Sequence, residues 1–279
     1  MYTTLISAEQ LQSLGNQNVV ILDCRFQLTD PDYGLAAYEA GHIPNAHHRH
    51  LDYHLSGVKT GSNGRHPLPD GQRLAVDFGA LGITPEVQVV TYDDAGGMFA
   101  ARAWWLLRWL GHEAVAVLDG GMAAWLAAGG ALSTDAAHRS TCRFPIRNTL
   151  AEVVLADEVL ANIAEPAFTL VDARSPERFR GEGENMDPVG GHIPGARNRF
   201  FMNNLQENGT FKPAAQLCAE WQQLLGPVAN GREVVHQCGS GVTACVNLLS
   251  MEHAGLTGSR LYAGSWSEWC SDPARPVER

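Results

Sequence analysis

The chain alternates two hydrophobic patterns. Short runs at 18–22, 88–92 and 113–118 are nearly continuous in apolar, often β-branched character, and the longer stretches between them carry apolar residues at helical spacing. Strands that read as unbroken apolar runs are buried on both faces, as in a parallel sheet with helices on either side. The expected class is α/β. The stretch 98–110, which includes Trp104, Trp105 and Trp109, is apolar around much of its helical circumference. It predicts a core or domain-interface helix in preference to an aromatic ligand cage.

The pattern is doubled. Gly41-His42-Ile43-Pro44-Asn45-Ala46 recurs as Gly191-His192-Ile193-Pro194-Gly195-Ala196, and Val20-Ile21-Leu22-Asp23-Cys24-Arg25 answers to Thr169-Leu170-Val171-Asp172-Ala173-Arg174. Val89-Val90-Thr91-Tyr92-Asp93 answers to Val234-Val235-His236-Gln237-Cys238, and the segment 117–125 to 261–269. Two copies of one unit therefore account for nearly the whole chain. The more polar stretch 131–151 has no sustained period and predicts a surface linker, which places an N-terminal domain over 1–132, a linker over 133–150 and a C-terminal domain over 151–279.

Composition narrows the choice of function. The 279 residues suffice for two ordinary domains. A net charge of −10 argues against nucleic acid or an anionic membrane as partner. The first residues lack a basic segment followed by an apolar core, and no apolar run approaches the length of a bilayer span, so the expected location is the cytoplasm. Six cysteines at 24, 142, 218, 238, 245 and 270 are scattered, without C-x-x-C spacing. Neither a disulfide framework nor a zinc site is expected. The crowded His47, His48, His50 and His54 lack a second ligand cluster, so no metal or other cofactor is expected.

One stretch carries the chemistry. Val234 to Cys245 reads as strand, tight loop and helix, with Cys238 at the carboxyl end of the strand, where open α/β sheets bind ligands. Glycines at 239 and 241 allow the loop to turn backbone N–H groups inward, and these dipoles with the following helix N-terminus favour an anion. The anion expected is the Cys238 thiolate, the nucleophilic form of cysteine. In the first copy Asp93 stands at this position and supplies no thiol.

The eight residues from Cys238 to Cys245 resemble the active-site loop of the mercaptopyruvate sulfurtransferases of the rhodanese superfamily. That resemblance implies two tandem rhodanese-like domains, each an open parallel sheet flanked by helices, with an inactive first domain forming one wall of the cleft. It implies that Cys238 carries sulfur as a persulfide, that the loop residues Gly239, Gly241, Val242 and Thr243 bind substrate, and that Ser240 acts with Asp52 and His66. Arg178 is the position matched for the donor's carboxylate, with Arg180 a second candidate because a guanidinium fork fits a carboxylate bidentately. The family usually adds an arginine before the Gly-His-Ile-Pro turn, but 183–190 is shorter here and has none. Arg180 or Arg199 would have to compensate, although a surface ion pair is the preferred reading of both. His236 shares a strand face with Cys238, Cys245 is expected in the core, and His42, His192 and the segment 262–269 are read as architecture.

The expected reaction moves sulfur from 3-mercaptopyruvate to Cys238, releasing pyruvate, and then to cyanide, a small thiol or a reduced thioredoxin-like protein. Thiosulfate is the alternative donor, and a non-catalytic sulfur-relay module the alternative role. A cysteine phosphatase would need an arginine six residues after the nucleophile, where the chain has Ala244.

Overall fold

Val19, Val20, Ile21 and Leu22 are all buried, as in a strand covered on both faces, and they form an interior strand of a five-stranded sheet. A computed structural model describes residues 1–15, 18–226 and 231–279. Its strands are β1 (Leu5–Ile6), β2 (Val19–Asp23), β3 (Ala46–His48), β4 (Gln88–Tyr92) and β5 (Val115–Leu118), in the order β1-β5-β4-β2-β3. Every neighbouring pair is parallel.

The second sheet repeats this order with β6 (Thr169–Asp172), β7 (Arg197–Asn198), β8 (Val234–Gln237) and β9 (Arg260–Leu261), arranged β7-β6-β8-β9 and again all parallel. The counterpart of β1 is reduced to a single parallel bridge between Val153 and Leu261.

The chain divides into two units. The first comprises Met1–Gly57, Pro69–Leu150 and Gln206–Phe211; the second comprises Val58–Leu68, Ala151–Leu205 and Lys212–Arg279. A short piece of the first half of the sequence thus belongs to the second unit. Within the first unit, residues 131–150 form no helix or strand, and Phe144 anchors them by packing against Phe78 and His112. No helix among the described residues is long and apolar enough to cross a membrane.

The repeated sequence motifs have repeated structural work. Arg25 pairs with Asp23 at 2.6 Å and donates to the Gly41 carbonyl at 2.9 Å; Arg174 pairs with Asp172 at 2.6 Å and donates to the Gly191 carbonyl at 2.8 Å. Each buried guanidinium ties a strand end to a Gly-His-Ile-Pro turn; Arg174 Nη1 makes no hydrogen bond among the described residues and lies 3.9 Å from a Glu184 carboxylate oxygen. His42 stacks on Tyr38 at 3.8 Å and His192 on Phe179 at 3.7 Å, each ring Nδ1 bonded to a backbone carbonyl. Both histidines are architectural.

The helix Ala100–Trp109 buries every residue from Ala100 to Leu107, Arg102 included, which accounts for its apolar circumference. Its counterpart Ala244–His253 is buried from Ala244 to Met251 and lies behind the end of β8. That end is where the chemistry-bearing loop begins.

Candidate active site

All four residues of β8 are buried, so the strand delivers Cys238 to the sheet's carboxyl edge with only 2% of its surface exposed. The next residues fold back over the sulfur, and the Gly241 N–H donates to Cys238 Sγ at 3.2 Å. Gly241 has a φ of +76°, and a Cβ there would stand 2.2 Å from the Ala263 carbonyl oxygen. Glycine is the residue that permits both the left-handed turn and this approach.

The loop is clamped from behind by the segment that the sequence assigned to architecture. The Cys238 N–H donates to Ser265 Oγ at 3.1 Å, and Ser265 Oγ donates to the Tyr262 carbonyl at 2.9 Å. Trp266 and Ser267 donate their N–H groups to the carbonyls of Cys238 and Gly239, each at 3.0 Å. Three main-chain groups of the loop, the Cys238 N–H and the carbonyls of Cys238 and Gly239, are thereby fixed before any ligand is considered.

The first unit shows what such a loop does with an anion. Asp93, 1% exposed, accepts from the N–H groups of Ala95 and Gly97 on one carboxylate oxygen and from Phe99 and Ala100 on the other, at 2.8–2.9 Å. Burial pushes its carboxyl up from the ordinary carboxylate value, and the four donors oppose that shift. The cradle expected from the loop sequence is thus formed in the first copy, with a carboxylate already in it.

Ser240 Oγ lies 2.7 Å from His66 Nδ1. His66 comes from the segment Val58–Leu68 of the second unit, and both side chains are more than nine-tenths buried. A hydroxyl held against an imidazole two residues beyond a cysteine can relay a proton. Asp52 lies in the first unit, where its N–H donates to His50 Nδ1 at 3.1 Å.

The arginines divide. Arg178 leans against the loop: a Cβ at Gly239 would be 3.5 Å from its Nη1, and 2.8 Å from Nη2 of Arg65, a residue the sequence reading passed over beside His66. Arg178 also forks onto Glu184, with Nη2 and Nε contacts of 3.0–3.2 Å, and reaches Asp187 at 3.3 Å. Asp187 bonds Arg65 through its other oxygen. Burial pushes the Asp187 carboxyl above its ordinary value despite Arg65; at Glu184 burial pushes the same way, but the Met186 N–H and Arg178 prevail and hold it below.

Arg180 is not brought to this group. It is half exposed and paired bidentately with Glu182 at 2.9 Å, the surface ion pair preferred for it from sequence. Arg199 is also an ion pair, with Glu220 at 2.8 Å, but its guanidinium is buried and lies over the Trp221 ring while Glu220 stays partly exposed. His236, expected on the sulfur's side, instead packs in the core against Trp221 and Met251 sulfur, and burial pushes its pKa down to about 3. A neutral imidazole sealed in the core does not reach the loop's anion. Cys245 is fully buried and donates to the Gly241 carbonyl at 3.4 Å, as a packed helix residue. Val242 is buried and Thr243 partly so, immediately before the helix.

The histidine-rich stretch is a packing feature. His50 stacks on Tyr53 and bonds the Pro31 carbonyl, and burial brings His47 and His54 down to about 4. Among the described residues no group of three His, Cys, Asp or Glu side chains is placed to hold a metal ion.

Comparison with known proteins places this geometry in context. The rhodanese-like domain profile matches residues 7–128 and 155–272. The chain is 48% identical over 279 aligned residues to a Pseudomonas aeruginosa protein named "Probable 3-mercaptopyruvate sulfurtransferase", covering 98% of this chain and 97% of that one. It is 31% identical to Thiosulfate/3-mercaptopyruvate sulfurtransferase 2 of Arabidopsis thaliana, covering 98% and 86%. The crystal structure of SseA from Escherichia coli, described among the 3-mercaptopyruvate sulfotransferases, superposes with a TM-score of 0.81 at 30% identity, covering 95% of this chain and 99% of that one.

Proposed function

Since the chain belongs to the rhodanese family in both of its halves, we propose that it is a sulfurtransferase that takes a sulfane sulfur from 3-mercaptopyruvate onto Cys238. The observation that carries the reading is the buried Cys238 sulfur under the Gly241 N–H, with the Ser240–His66 pair beside it.

The thiolate of Cys238 attacks the donor's sulfur and forms the S–S bond. The donor's C–S bond breaks with its electron pair moving into the pyruvate enolate, whose carbon then takes up the proton the donor thiol gave up. In this reading Ser240 and His66 pass that proton, which their 2.7 Å contact supports. The persulfide is the conjugate of the same balance: one sulfur gained, one pyruvate released, no net oxidation of the enzyme–donor pair. In the second half-reaction cyanide, a small thiol or a reduced thioredoxin-like protein attacks the outer sulfur and returns the Cys238 thiolate, giving ping-pong kinetics. Loop N–H groups and nearby guanidiniums favour the anionic forms on both sides of the reaction.

Thiosulfate is the second reading for the donor. It is supported by the pair of guanidiniums at Gly239, which suits a small dianion, and by the thiosulfate-named relative. The six free cysteines suit a reducing compartment, which supports the cytoplasm as the place of reaction.

The test is thiocyanate formation from cyanide with 3-mercaptopyruvate and thiosulfate supplied separately, on the wild type and Cys238→Ser. A clearly higher kcat/KM with mercaptopyruvate, abolished in C238S, is expected. Higher kcat/KM with thiosulfate reassigns the donor, and absence of turnover with both supports a relay role.

A further inference from the structure

Two guanidiniums converge on the one loop residue that has no side chain. The position a Cβ would take at Gly239 lies 2.8 Å from Arg65 Nη2 and 3.5 Å from Arg178 Nη1, so both groups occupy the space that glycine leaves beside the nucleophile. Arg65 is held there by its own backbone: its N–H donates to Ser267 Oγ at 3.0 Å, and Ser267 in turn donates to the Gly239 carbonyl.

A single carboxylate already spans the two. Asp187 bonds Arg65 through Oδ1 and approaches Arg178 Nη2 through Oδ2 at 3.3 Å. The acid is sealed, with 3% of its side chain exposed, whereas each arginine side chain keeps 26% exposed. Arg65 Nε is a buried donor with no acceptor among the described residues. The arrangement therefore presents two partly exposed guanidinium groups, with the acid beneath them.

Resting on the sulfurtransferase reading above, we propose that Arg65 and Arg178 together clamp the carboxylate of the sulfur donor, and that Asp187 is a built-in carboxylate competing with it for the same two guanidiniums. Arg65 thereby supplies the second arginine that the shortened segment 183–190 lacks, from a different part of the chain. A carboxylate matches two convergent forks geometrically, and desolvation at this buried edge strengthens the charge-assisted bonds. Asp187 sets the affinity: it keeps the arginines ordered, and it opposes a second anion by like charge.

The clamp is read without turnover by alkylating Cys238 with iodoacetate and with iodoacetamide, reagents of similar size that differ by a carboxylate, and following the Cys238 peptide by mass spectrometry. In Arg65→Gln the iodoacetate rate should fall roughly tenfold relative to iodoacetamide, the value of one charge-assisted pair, and Arg65→Lys should recover part of it. In Asp187→Asn the same ratio should rise by about threefold or more, and KM for 3-mercaptopyruvate should fall. An unchanged ratio in Arg65→Gln, an equal loss with both reagents, or a lower ratio in Asp187→Asn overturns the proposal. A wild type without sulfur transfer overturns the sulfurtransferase reading instead, since the alkylation ratio does not depend on it.

Discussion

Ser240 Oγ and His66 Nδ1 stand 2.7 Å apart across 174 positions of sequence, both nearly closed to solvent. A buried hydroxyl–imidazole pair is costly to assemble for packing alone, since each partner must be desolvated and kept satisfied. If the pair passes a proton, its members act as one unit. His66→Gln and Ser240→Ala should each lower kcat by about a hundredfold with KM little changed, and the double variant should lose no more than either single one. Steady-state kinetics of thiocyanate formation measure this, and multiplying losses would separate the two residues.

Arg178 uses three nitrogen–oxygen contacts to Glu184 and a further one to Asp187. A lysine keeps the charge but loses the planar fork. Arg178→Lys should raise KM for 3-mercaptopyruvate about tenfold while kcat stays within a factor of about three. A drop in kcat at constant KM would place Arg178 at the bond-breaking step and not at donor binding.

Asp93 answers four backbone donors that a neutral amide cannot serve equally. Asp93→Asn turns an NH₂ toward N–H groups that need an acceptor, so it should destabilise the protein by about 2–4 kcal/mol. Denaturant midpoints at pH 7 test the cost. At temperatures well below unfolding, sulfur transfer by Cys238 should persist, because Asp93 belongs to the first unit's own loop.

His236 predicts an acid limit to stability. Its pKa is about 3 when folded and 6.5 ordinarily, so between those values the unfolded chain binds the proton and the folded one does not. Stability is therefore fully present above about pH 6.5 and is lost progressively as pH falls toward 3. At pH 5 the loss from this residue is about 2 kcal/mol relative to pH 7. His47 and His54, depressed to about 4, act in the same direction. Comparing denaturation at pH 7 and pH 5, His236→Gln should show a smaller acid loss than the wild type. An identical loss would show that other groups govern it.

Much of the architecture could be read from sequence because its causes are local. Val19 to Leu22 and Val234 to Val235 announce buried strands by composition alone, and the Asp-x-Arg and Gly-His-Ile-Pro motifs recur because each copy needs the same Asp–Arg ion pair at the strand end, whose guanidinium bonds the turn's glycine carbonyl. The loop from Cys238 was legible for the same reason, since glycine spacing encodes its curvature. Arg65, Asp187 and Glu184 were not, because their grouping depends on which distant segments meet. Nothing local distinguishes a clamped arginine from a solvated one. His236 misled for a related reason: alternation along β8 gives the face of the strand, but the sheet face at that point is covered by Trp221 and Met251. The reduction of β1's counterpart to the Val153–Leu261 bridge is equally invisible in a run of so few residues.

The membership of Val58–Leu68 in the second unit limits how this protein can be taken apart. An excised fragment beginning at Ala151 would keep Cys238, Ser240 and Arg178 yet lack Arg65 and His66. On the reading proposed above, such a piece holds the sulfur-carrying cysteine without the imidazole of its relay and with half of its anion clamp. The duplication visible in the sequence is therefore not a seam along which the proposed site divides: that site draws residues from both copies, and recombination or truncation at the repeat boundary would remove part of it together with a piece of the second unit.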